Sequence, residues 1–109
     1  MVKVSELDGA LLDYWVAWAE RLTEVKIVDE EVWAIEFMPY RPSMEWAQGG
    51  PLIDKYEIEI SGDAGPSITA ELYSKTKHQY FTGNGNTPLQ AICRAVVRAA
   101  FGDEVEEVS

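Results

Sequence analysis

Residues 87–102 constrain the fold more than any other stretch of the chain. Thr87-Pro88-Leu89-Gln90 reads as a helix start. Thr87 can cap, Pro88 suits the first helical position, where its missing N–H costs nothing, and Gln90 stands where a capping box places Glu or Gln. Leu89, Ile92, Cys93, Val96, Val97, Ala100 and Phe101 follow at helical spacing, and Gly102 supplies the stop. Only Gln90, Arg94 and Arg98 make a wet stripe. A helix apolar around most of its circumference must be deeply buried, so the remainder of the chain has to enclose it.

The rest of the sequence offers the means. A first helix is predicted from Ser5 or Asp8 to Leu22, with Leu11, Leu12, Trp15, Trp18, Ala19 and Leu22 as its apolar stripe and Asp13, Glu20, Arg21 and Glu24 on the wet side. Glu31 to Phe37 alternates like a strand, with Trp33, Ile35 and Phe37 on one face, until Pro39 and Pro42 stop it. Tyr56, Ile58 and Ile60, then Ile68, Ala70 and Leu72, alternate with polar partners and read as a hairpin around the turn 62–66. A weaker run spans Lys77 to Thr82, and Gly83-Asn84-Gly85-Asn86 reads as a tight polar loop into the last helix. These elements predict an α+β fold: an antiparallel sheet of three to four strands with the N-terminal and C-terminal helices packed on one face, a two-layer sandwich. A three-layer α/β/α sandwich is the alternative. At 109 residues the expectation is a single domain over 1–109, with an acidic tail from about residue 103 that frays.

Charge narrows the function. Nineteen Asp and Glu against nine Lys and Arg give a formal net charge of −10. Such a surface repels phosphate backbones and anionic membranes, so direct nucleic-acid binding and membrane binding are not expected. No apolar stretch approaches the roughly 20 residues that span a bilayer, and the first residues lack a signal-peptide core, so a cytoplasmic location is expected. One cysteine, Cys93, and one histidine, His78, cannot make a disulfide or a His/Cys zinc site within one chain. Neither residue stands in a recognisable catalytic frame. Cys93 belongs to the core, and His78, beside Lys75 and Lys77, to an edge strand. No cofactor motif is present: Gly83-Asn84-Gly85 lacks the third glycine of a dinucleotide loop and is followed by no P-loop lysine.

The segment from Met38 to Asp54 lacks periodicity. At this length an irregular connection is usually functional or disordered, and its Tyr40, Met44 and Trp46 argue against disorder. Ser43, Trp46, Gln48, Gly49, Gly50 and Pro51 are the candidate ligand- or partner-binding residues. Trp46 offers an apolar face with one N–H, Gln48 both donates and accepts, and the glycines free the backbone. A purely structural role, with Trp46 plugging the core and Gly49-Gly50-Pro51 making a turn, stays open. Glu57, Glu59 and Glu71 form a second candidate surface, an acidic sheet face on which Glu57 and Glu59 stand about 7 Å apart if both lie in one strand.

Several motifs resemble the NinX-like family of phage and prophage proteins. They are the opening Val2-Lys3-Val4-Ser5-Glu6-Leu7-Asp8-Gly9-Ala10-Leu11-Leu12-Asp13, then Trp46-Ala47-Gln48-Gly49-Gly50-Pro51-Leu52-Ile53, Thr87-Pro88-Leu89-Gln90-Ala91-Ile92-Cys93-Arg94 and Phe101-Gly102-Asp103-Glu104-Val105. The likeness fades between about Ile58 and Tyr80. It implies a small phage-encoded accessory protein in the host bacterial cytoplasm, with no catalytic residue to carry over, and it marks Pro42-Ser43 and Trp46 to Ile53 as a family signature. Three functions follow as expectations: a non-enzymatic module binding a host or phage protein, a small-molecule-binding protein or enzyme using the 43–53 loop, and an acidic DNA mimic acting on a nucleic-acid-binding protein. A homodimer through the Trp-rich first helix is also compatible with the pattern.

Overall fold

A computed structural model describes residues 1–62 and 68–108. In chain order the elements are β1 (Val2–Lys3), a short 3-10 turn (Val4–Glu6), α1 (Gly9–Ala19), β2 (Lys26–Val28), β3 (Glu31–Trp33), α2 (Trp46–Gly49), α3 (Pro51–Tyr56), β4 (Glu59–Ser61), β5 (Ile68–Ser74), β6 (Gln79–Gly85), α4 (Pro88–Phe101) and β7 (Glu104–Val105). The fold is α+β. A three-stranded antiparallel sheet runs β4-β5-β6, and β1 with β7 and β2 with β3 form two-stranded ribbons. The turn expected at 62–66 falls largely outside the described residues.

α4 starts as its sequence dictates. The Thr87 hydroxyl accepts the Gln90 N–H at 3.1 Å, and the Gln90 side chain reaches back to the Asn86 N–H at 2.9 Å. Leu89, Ala91, Ile92, Cys93, Ala95, Val96 and Val97 are all buried. The helix lies on β5 and β6, over Ala70 paired with Gly83 and Leu72 paired with Phe81. The other face of the sheet carries Glu71, Tyr73 and Tyr80, all exposed, so the central sheet is covered on one side only and the three-layer alternative is not adopted.

The stretch Gly83-Asn84-Gly85 is not a loop. It is the end of β6, paired with Ile68 to Ala70. Gly83 is required by packing: a Cβ there would collide with the Ala91 carbonyl and the Ala95 amide of α4. Glycine therefore lets a helix backbone touch a strand backbone. The wet residues of α4 then close the margin of the sheet. Arg94 donates to the carbonyls of Leu7 (3.0 Å) and Asn84 (2.7 Å), and Arg98 to Thr82 O (2.7 Å) and to the Asp103 carboxylate.

α1 packs against α4 and the β2–β3 ribbon, but on a different stripe from the one expected. Its buried residues are Leu12, Asp13, Val16 and Ala17, whereas Leu11 and Trp18 are more than two-fifths exposed. Trp15 is half-buried at the margin of the core, where it packs edge-on with Tyr14 and Phe101, rings about 5.4 Å apart. The helix also ends earlier than Leu22. Arg21 takes φ +57°, its N–H bonds to Trp18 O, and Leu22 N–H reaches Ala17 O, a Schellman closure without glycine.

The first strand expectation needs two corrections. β2 was not expected, and it pairs with β3 through Asp29 and Glu30, both at positive φ. That is a two-residue hairpin turn made without the Asn-Gly or Asp-Gly that would announce it. The buried face of the run is Val32 and Ala34, while Ile35 and Phe37 turn outward. The strand ends at Trp33 rather than Phe37, because Ala34 and Phe37 exchange backbone hydrogen bonds (Ala34 N–H to Phe37 O, 2.9 Å) in a tight turn, and Tyr40 returns to bridge Val32, its N–H on Val32 O at 2.7 Å. The acidic tail is anchored through Val105, which is buried and pairs with Val2.

The seating of α4 yields a direct test. Gly83→Ala is expected to lower stability by roughly 1–3 kcal/mol, the usual cost of forcing an extra group into a packed core, measured as a shift of the urea midpoint. An unchanged midpoint would show that α4 and β6 separate without cost.

Candidate functional site

The Met38–Asp54 segment is ordered by its own polar groups. The Met38–Pro39 peptide is cis. Tyr40 and Pro42 are buried, and the Phe37 ring lies 4.9 Å from that of Tyr40. Gln48 ties the loop across itself: its Nε2 donates to Pro39 O at 3.0 Å and its Oε1 accepts the Arg41 N–H. The chain then turns into α2 and α3, so the segment without periodicity contains two short helices.

Beneath the loop stands Asp13. Its carboxylate accepts the Ser43 N–H at 2.8 Å across 30 residues of sequence, and the residue is 2% exposed. Burial pushes its pKa up from an ordinary 3.8 to about 6, against the opposing pull of the Ser43 hydroxyl and N–H and the charge of Arg41. The Ser43 hydroxyl is itself buried, beside that carboxyl but without a hydrogen-bond partner in good geometry. Sequence reading put Asp13 on the wet side of its helix. The signal that places it correctly is the second stripe 12-13-16-17, which the aromatic residues on the neighbouring face obscure. Glu20, one turn further on, is also drawn inward: it accepts the Tyr56 hydroxyl and, at 3.0 Å, the Lys55 ammonium. Burial is the main cause that raises the Tyr56 pKa, with this bond second.

The candidate residues divide into those that hold the loop and those it presents. Ser43 and Gly49 are buried, and Gln48 and Gly50 are partly covered. The glycine N–H groups are not offered outward. Those of Gly49 and Gly50 donate to Glu45 O and Trp46 O, each at 2.8 Å. Gly49 is needed for close approach, since a Cβ there would strike the Pro42 carbonyl and stand 2.7 Å from Leu89 Cδ2. Trp46 is 54% exposed and Met44 69%, and Pro51 is also exposed. Trp46 and Met44 border an open hollow of about 410 Å³ whose other wall is Pro88, Leu89 and Gln90 at the start of α4. The core-plug role open to Trp46 is therefore not the one it has here.

The acidic candidates are arranged differently from the expectation. Glu57 is not in a strand: it takes φ +53° as the C-cap of α3. Glu59 lies directly opposite Glu71 across the β4–β5 ladder. His78 occupies the β5–β6 turn at φ +55°, not an edge strand, and the neighbouring Lys77 Nζ reaches the Ala99 carbonyl in the last turn of α4.

The geometry defines a small α+β domain whose buried carboxylate fixes a loop that turns a tryptophan and a methionine outward. Over residues 3–99 the chain matches the family described as Bacteriophage P22, NinX, and it belongs to that family. The match spans α1, the anchored loop, the central sheet and nearly all of α4. A search of curated proteins found no match. Among the described residues no helix is long and apolar enough to cross a membrane.

Asp13 makes stability depend on pH in a defined direction. The folded chain holds its proton more tightly than the unfolded chain, so this contribution is complete below about pH 4 and is lost as pH rises through about 6. The difference corresponds to roughly 3 kcal/mol. Asp13→Asn keeps an oxygen for the Ser43 N–H and carries no charge. It is expected to melt above the wild type at pH 8 and to match it near pH 4. A variant less stable than wild type at pH 8 would show that the ionised carboxylate is what the loop requires.

Proposed function

We propose that the chain is a non-enzymatic phage accessory module that binds a host or phage protein through the surface of its anchored loop. One observation carries this reading. Met44 and Trp46 stand in solvent on a backbone held by Asp13, Gln48 and Gly49, so their exposure is built in. Ile35 (56% exposed), Phe37 (40%) and Met38 (62%) are presented by the same stretch of chain. Large apolar side chains left exposed on an ordered loop mark a candidate interaction surface. Tryptophan is among the residues that dominate interface energetics, and methionine is enriched at such surfaces and adapts to irregular partners. A preformed loop also binds without an ordering cost.

A second reading is favoured by the hollow beside Trp46. Its walls of Trp46, Met44, Pro88 and Leu89 suit a small, mainly apolar ligand. A metabolite that raises the melting temperature of wild type and not of Trp46→Ala would favour it.

The protein-binding reading is tested by pull-down from host and infected-host lysates. Trp46→Ala and Met44→Ala are expected to change stability by less than about 1 kcal/mol, as half-exposed positions do, and to weaken capture of a saturable partner by at least about tenfold for Trp46. Retention of the same partner at wild-type affinity by both folded variants would move the interface off this loop.

A further inference from the structure

The two edges of the central sheet are treated differently. Along β6, Arg94 and Arg98 place guanidinium groups on the carbonyls of Asn84 and Thr82, each at 2.7 Å. These are acceptors that an added strand would need. β4 is the opposite edge, and among the described residues no second strand pairs with it. All three of its residues are exposed. Ile60 leaves 39% of its surface in solvent although its cross-strand partner, Ala70, is wholly buried. An unpaired edge with a half-covered apolar side chain is a template for another strand.

The open face of the sheet specifies what such a strand carries. Glu59 and Glu71 are direct cross-strand partners, and like charges so placed destabilise a sheet. Among the described residues neither takes part in an ion pair. Together with Glu57, Tyr73 and Tyr80 they border a shallow hollow of about 250 Å³ that no lysine or arginine enters. The next strand position lies about 5 Å beyond β4, within reach of a long cationic side chain for both carboxylates. We infer that β4 accepts an extended segment of a partner protein as a fourth strand, with Lys or Arg on the Glu59 face and an apolar residue over Ile60. A second copy of this chain does not suit the edge. Pairing β4 antiparallel with itself about Ile60 would gather the Glu59 and Glu71 carboxylates of both copies on one sheet face, in two chains that each carry a net charge of −10. This surface is independent of the Trp46 loop and stands whether or not that loop binds anything.

The probe is a short peptide of alternating Lys and Val, followed by fluorescence anisotropy and by amide hydrogen exchange. The expected result is saturable binding with new protection at Glu59 to Ser61. Binding should weaken by at least about tenfold, a readily resolved free-energy step, in the Glu59→Gln, Glu71→Gln double variant. It should weaken similarly for the same peptide N-methylated at every residue, which keeps its charge but has no N–H left to form a ladder. Equal binding of the N-methylated peptide would reduce the effect to adsorption on an acidic surface and overturn the inference. So would undiminished binding to the double variant, protection confined to other strands, or the absence of saturation. Self-association of the chain through β4 in sedimentation would assign the edge to a second copy and equally overturn it.

Discussion

The fold depends on one close contact, that of α4 against β6. Gly83 lets the two backbones touch, and the helix then covers Ala70, Leu72 and Phe81 with its apolar side. Everything else is arranged around that contact. Arg94 and Arg98 extend from the same helix to Leu7, Thr82, Asn84 and Asp103. Three separate parts of the chain are thereby joined to one element: the entry to α1, the edge of the sheet and the start of the C-terminal ribbon. The arginines place their charge on backbone carbonyls and, for Arg98, on the Asp103 carboxylate, and each such charge-assisted bond is stronger than a neutral one.

Against this frame the loop is held by a different kind of bond. Asp13 is buried, and the Ser43 N–H gives it a partner at a distance of 30 residues. A buried carboxyl is costly unless it is paired or protonated, so its presence under a loop that turns Met44 and Trp46 outward is better explained by positioning than by stability. The same helix face carries Glu20 to Tyr56 and Lys55. α1 thus has an interior stripe with two carboxylates, each tied to a segment that lies between β3 and β4. Gln48 and Gly49 complete the arrangement from within the loop.

Legibility in the sequence varied with the range of the interaction that decides each element. α4 was readable to the residue at its start, because Thr87, Pro88 and Gln90 act within one turn. The inward face of β5 was readable because Ile68, Ala70 and Leu72 answer to a period of two and a single covered side. The end of the strand at Trp33 was not, since it is set by the turn between Ala34 and Phe37 that brings Tyr40 back to Val32. The buried stripe of α1 is legible only in part: Trp15, Ala19 and Leu22 pack at the margin of the core, whereas Leu11 and Trp18 are exposed and Asp13 takes an inner position. Glu57 was placed in a strand because the alternation runs on through it, although the chain there is closing a helix in the left-handed region. Of the candidate loop, residue types and location were legible, but the division between the holders Ser43, Gln48 and Gly49 and the presented Met44 and Trp46 was not.

By itself the sequence determined the class of the fold, the position and caps of its most buried helix, the inward residues of its central strand, and a formal net charge of −10. These follow from local spacing and composition, which need no knowledge of what lies opposite. Only the tertiary structure decided which carboxylate is buried, which face of α1 is inside, why Gly83 and Gly49 are glycine, and which sheet edge is left open. Each of those depends on a neighbour distant in sequence, and a residue's own periodicity carries no record of that neighbour.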